Sequence, residues 1–316
     1  MLWNAFRLTN GTRNNKLNTR VAGLSLPTPI GLAAGFDKDC NVLRSLLNLG
    51  FGFVSGGTIT LASRPGNPKP RVIRLPNEKA LINSMGFPGR GLEPAIKRLQ
   101  RTQGLKERIL VSIAGTIEDE IFDCFHRVQS LAAGVELNIS SPNTAGLRIF
   151  HETGRLRGLI EGLAAEKTVP LFVKLPPWSR GDADRREILK LAETAIDAGV
   201  DGLIVANTRP IESNQLKVGR GGLSGEPLFE NTELMIADVQ AMTNGDIGII
   251  ACGGISTSKQ VWKLLASGAS AIQLYTSFIY EGPGLPARLN KGLVRLMDAA
   301  GIASIDDISG EPPNIK

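Results

Sequence analysis

Eight short apolar runs recur along the chain, and their spacing constrains the fold more than any other feature. They are PIGLAA at 29–34, FGFVSGGT at 51–58, ILVSIAG at 109–115, GVELNIS at 134–140, PLFVKL at 170–175, GLIVAN at 202–207, IGIIACGG at 247–254 and AIQLYTS at 271–277. Each is continuous rather than alternating, the pattern of strands buried on both faces. Between most of them apolar residues return at helical spacing, as in AIKRLQRT, EDEIFDCFHRVQSLA, RREILKLAETAIDA and TSKQVWKLLAS. Strands and helices alternating in this way predict a parallel sheet covered by helices. Eight such units in 316 residues predict an α/β chain folded as one (β/α)8 TIM barrel over 29–316, with a short N-terminal extension at 1–28. A doubly wound sheet would need GxGxxG after its first strand, and PIGLAAGFDKD does not supply it.

A weak repeat supports the barrel. Leu49-Gly50, Ala133-Gly134, Ala198-Gly199 and Ser267-Gly268 each close a helical pattern just before a strand, where Gly can take the left-handed cap conformation. Residues 62–88 interrupt the alternation with a Pro- and Asn-rich insertion. It reads either as a surface hairpin or as a cover over the barrel mouth.

Composition narrows the class. No leader-like segment and no apolar stretch near the ~18 residues of a membrane span is seen, so a cytoplasmic protein is expected. The three cysteines lie far apart and the two histidines lack metal-ligand spacing, so no disulfide framework and no metal site is expected. Net charge is +6 with a pI near 9.3, but Lys and Arg are dispersed, so no nucleic-acid partner is expected and an anionic small molecule is permitted.

In such a barrel the site is built from loops at the C-terminal ends of the strands. Gly253, Gly254 and the Tyr275-Thr276-Ser277 turn follow the last two strands, where backbone amides can approach a phosphate; tight turns and helix capping would also explain them. Lys174 ends an apolar strand and needs an anionic partner if buried, for which a flavin ring is suited; it could instead reach solvent. Lys38 raises the same choice, with a substrate carboxylate as partner. Asn83, Asn138, Asn143 and Asn207 come from different loops yet can converge on one mouth, where paired donors and acceptors suit a planar imide. Singly, each could be a turn residue.

The same positions carry a resemblance. AAGFDK at 33–38, GNPKPRVIRLP at 66–76, INSMGF at 82–87, NISSPNTAGLR at 138–148, VKLPP at 173–177, DGLIVANT at 201–208, GGLSGEPL at 221–228 and ACGGIS with QLYTS resemble, in order, the blocks of the dihydroorotate dehydrogenases, in particular the serine-using class 2 branch. The resemblance implies a barrel with non-covalent FMN that oxidises dihydroorotate to orotate in pyrimidine synthesis. It places Ser141 as the base removing the C5 proton while C6 gives hydride to flavin N5, with Thr144, a water and gating Phe87 relaying the proton. Asn83, Asn138, Asn143, Asn207, Thr208 and Lys38 match substrate positions. Ala34, Thr58, Asn138, Lys174, Gly225, Gly253, Gly254, Tyr275 and Thr276 match FMN positions.

Three departures stand out. Few residues precede the first block, so the helical pair that binds quinone in class 2 looks absent, and Leu2, Trp3, Phe6 and Leu8 offer at most peripheral membrane contact. VSIAGT at 111–116 looks more like class 1, and Arg209 stands where a second Thr is usual. Quinone and fumarate both remain open as acceptors, as does a homodimer. A dihydrouridine synthase would call for Cys at 141 and an RNA-binding domain; a flavin-binding barrel without turnover is the other alternative.

Overall fold

The computed structural model describes residues 14–140, 147–178 and 181–314. Eight parallel strands close a barrel: β1 (Ile30–Asp37), β2 (Phe53–Ile59), β3 (Ile109–Ile113), β4 (Gly134–Asn138), β5 (Leu171–Lys174), β6 (Gly202–Val205), β7 (Gly248–Cys252) and β8 (Ala271–Leu274). Each pairs with the next in sequence, and β8 pairs with β1. All eight coincide with the apolar runs. Consecutive order follows from short right-handed crossovers, which return each strand beside its predecessor.

The four helical patterns appear as Leu92–Leu99, Glu118–Val128, Asp182–Asp197 and Ser258–Ala266. The last begins with a capping box, in which the Thr257 hydroxyl accepts from the Gln260 amide. Outward-facing strand residues such as Val54, Val111, Leu137, Val173 and Ile249 pack with these helices in one large core. Inward-facing residues form a separate cluster of Phe53, Leu110, Phe172, Ile204, Ile250 and Ala271, closed below by Val21 and Leu26 of the hairpin Thr19–Val21 and Leu24–Leu26. That hairpin caps the end of the barrel away from the strand C-termini.

Three of the four expected glycine caps, Gly50, Gly199 and Gly268, have positive φ. Gly134 departs from the expectation. It is the first residue of β4, and a Cβ there would stand 3.0 Å from Pro170 O and 3.1 Å from the Phe172 ring. Its lack of a side chain therefore makes room inside the barrel rather than turning a helix end.

The 62–88 insertion contains two strands, Val72–Leu75 and Ala80–Asn83, and both readings of it hold in part. Its hairpin joins another, Arg209–Glu212 with Arg220–Gly225, in a four-stranded antiparallel sheet. The second hairpin has no apolar run to betray it, because Gly-rich RGGLSG is a poor strand by composition. Ile73, Leu75, Ile82, Leu223 and Leu216 give the sheet a small core of its own, and Leu81, Asn83 and Ser224 on its other face line a cavity at the barrel mouth. The sheet is a roof over the C-terminal ends of the strands.

Candidate active site

One cavity lies between the roof and the barrel, and residues at or just after the C-terminal ends of seven of the eight strands contribute to it, together with Asn83 and Gly225 from the roof. Ala34, Lys38, Thr58, Asn83, Phe87, Asn138, Lys174, Asn207, Thr208, Gly225, Gly253, Gly254, Tyr275 and Thr276 all line it. Ser141, Asn143 and Thr144 lie outside the described residues.

A hydrogen-bonded chain orders the amides on one wall. Asn138 Nδ2 donates to Thr58 Oγ1 at 3.1 Å, and Thr58 shares a 3.0 Å hydrogen bond with Ser112 Oγ. Asn138 Oδ1 accepts from the amide and hydroxyl of Ser140 at 3.2 and 3.1 Å. Asn207 Nδ2 donates to Ser140 Oγ at 2.8 Å, and its Oδ1 accepts from the Thr208 amide at 2.7 Å. Both amides are thus locked in orientation, and each Nδ2 retains a second N–H for a ligand. Ser140 joins β4 to β6, a role not separable from that of Ser141 in the sequence.

Beneath the amides the barrel interior turns polar. Lys174 and Glu136 are buried on neighbouring strands, with Nζ 3.8 Å from Oε1. Gln273 Nε2 donates to Ser55 Oγ at 2.9 Å and to Glu136 Oε2 at 3.4 Å, while Gln273 Oε1 and Glu136 Oε1 have no hydrogen-bond partner among the described residues. Burial disfavours the Lys174 charge, but the neighbouring Cys252 and Glu136 outweigh it and leave its pKa above the ordinary lysine value. Burial pushes the Cys252 thiol up, only partly opposed by Lys174. The lysine charge that the sequence demanded a partner for therefore has one within the chain.

On the opposite side Tyr275 donates its hydroxyl to Gly35 O at 3.1 Å, and burial raises its pKa, so it remains a phenol. Thr276 Oγ1 donates to Ser224 Oγ at 2.8 Å, which ties β8 to the roof. Gly254 has φ +75°, and a Cβ would stand 2.3 Å from the Phe229 amide nitrogen; Gly225 has φ +107°, and a Cβ would stand 2.3 Å from Lys79 O. Both glycines are dictated by close backbone approach, whatever else their amides do. Lys38 donates to Gly35 O, and burial, then Arg71, hold its pKa below the usual lysine range against the opposing pull of Asp39 and Asp37.

Residues 16–297 match the family model described as dihydroorotate dehydrogenase. The chain belongs to the dihydroorotate dehydrogenase family. Among similar proteins are the dihydroorotate dehydrogenase (quinone) of Chelativorans sp. (strain BNC1), 36% identical over 95% of this chain and 86% of that one, and that of Erythrobacter litoralis (strain HTCC2594), 38% identical over 93% and 88%. The Eimeria tenella enzyme in complex with ferulenol superposes with a TM-score of 0.85 at 34% identity, covering 95% of this chain and 89% of that one. Its ligand-free form gives 0.85 at 33%, covering 98% and 97%.

In and beneath this cavity, Glu136, Gln273 and Ser224 escaped the sequence reading. A signal existed for the first. Glu136 precedes Asn138 by two residues in a strand, so the two share a face, and an acidic residue inside an apolar run is unusual.

Proposed function

We infer that this protein oxidises dihydroorotate to orotate in pyrimidine biosynthesis, with FMN as its flavin and a quinone as its acceptor. Beyond family membership, the reading rests on one observation: every described residue at a position matching the family's site lines the same cavity. A flavin fits the floor on its own terms. Lys174 offers a charged donor and Gln273 Oε1 an acceptor without a donor, suited to a ring edge that carries both carbonyls and an N–H. Bound there, the flavin supplies the two-electron acceptor for the substrate.

The chain supplies the rest. Asn83, Asn138, Asn143, Asn207 and Thr208 hold the substrate's imide edge, and Lys38 pairs with its carboxylate. Ser141 takes the C5 proton, which leaves along Thr144 and a water behind Phe87. A serine is a poor base unless its own proton departs, so flavin reduction should accelerate toward alkaline pH. A rate flat from mildly acidic to alkaline pH would sink the serine assignment.

No helix among the described residues is long and apolar enough to cross a membrane. The acceptor is therefore tested directly. Anaerobic addition of dihydroorotate should bleach the flavin, and a quinone, but not fumarate, should restore the colour; a yellow protein that stays yellow would refute the substrate.

A further inference from the structure

The carboxylate of Glu136 takes no part in the chemistry above, and its placement is unfavourable by itself. Its side chain is 0% exposed inside the barrel. Its Oε2 receives only the 3.4 Å bond from Gln273, and its Oε1 receives none from the described residues. The Lys174 ammonium stands 3.8 Å from Oε1, outside hydrogen-bond range, and Lys174 lines the cavity. A purely structural buried ion pair is expected to close to contact, because only good geometry offsets the desolvation of both ions. Here the lysine stands between a carboxylate below and the cavity above.

We propose that Glu136 is a positioning residue that anchors the Lys174 ammonium from beneath and attenuates the positive charge it presents to the flavin. The proposal rests on the flavin reading given above. Two-electron reduction places negative charge on the ring system, which Lys174 stabilises and the Glu136 carboxylate opposes. Gln273, the other side chain that touches the carboxylate, is neutral and does not cancel that opposition. Glu136 therefore holds the flavin's reduction potential down, which makes the reduced cofactor a stronger donor to its acceptor.

The test is the midpoint potential of the bound flavin in the purified protein, titrated chemically against reference dyes at a mildly acidic pH where Lys174 is charged. Dihydroorotate is not needed, so the result is independent of the substrate reading. Glu136→Gln should raise the potential enough to favour the reduced form about tenfold, ~30 mV for a two-electron couple. Glu136→Asp keeps the charge and should lie nearer the wild type. It also preserves the test where Glu136→Gln does not fold, since any retreat of the carboxylate should then give a smaller positive shift. A potential unchanged or lowered in flavin-retaining Glu136→Gln, or lowered in Glu136→Asp, would overturn the role of Glu136 and leave the functional reading standing. A protein that binds no flavin would overturn both.

Discussion

The barrel interior divides into two regions that differ by a step of two residues along six of the eight strands. Phe53, Leu110, Gly134, Phe172, Ile250 and Ala271 form or border the lower layer, sealed by Val21 and Leu26. Two residues further on, facing the same way, stand Ser55, Ser112, Glu136, Lys174, Cys252 and Gln273. The lower layer is dry and close-packed and contributes stability through burial. The upper layer is polar and, apart from half-buried Cys252, as deeply buried, and Glu136 Oε1 and Gln273 Oε1 accept no hydrogen bond from the described residues. The lesson is that one set of strands carries stability and chemistry in separate tiers.

The sharpest way to break this division is Lys174→Met. Leaving Glu136 buried without its counter-charge should lower stability by ~3–5 kcal/mol in urea unfolding. Flavin reduction by dihydroorotate should fall about a hundredfold, the scale of losing one charge-stabilising donor. The double variant with Glu136→Gln should regain most of the stability and only a small part of the rate. Recovery of both together would merge the tiers.

Leu110→Ala, in the lower tier, should cost ~2–5 kcal/mol while the reduction rate per folded molecule stays at the wild-type value. A proportionate loss of rate would show that the tiers are not independent.

Lys38 tests the upper tier by pH. Its pKa is held below the ordinary lysine range by burial and Arg71, so its charge is present at low pH and lost before a surface lysine would lose its own. Orotate affinity, read from the flavin spectrum, should be full below that pKa and fall about tenfold per pH unit above it. Constant affinity into the alkaline range would remove Lys38 from carboxylate binding. The smallest effect is expected for Ser112→Ala, which removes one hydrogen bond to Thr58 and should cost ~0.5–1.5 kcal/mol, with a modest rise in KM.

Much of this was legible in advance for a topological reason. In a parallel barrel every strand ends at the same face, so residues after apolar runs must converge however far apart they lie. Asn138, Lys174, Asn207 and Tyr275 were readable as a site on that ground. What hid was the pairing across distance. The roof joins Leu223 to Ile82 through strands whose glycines carry no pattern, and only their tertiary partners make them strands.

The amino-acid sequence by itself determined the eight-strand alternation, the family blocks and the strand-end residues of the cavity, because local periodicity and topology specify them. Only the tertiary structure decided what those residues touch. It set Glu136 beneath Lys174, made Ser140 the tie between Asn138 and Asn207, and turned Gly134 from a helix cap into space for Phe172. These are contacts between strands, and the registers and inward directions that create them exist only once the barrel has closed.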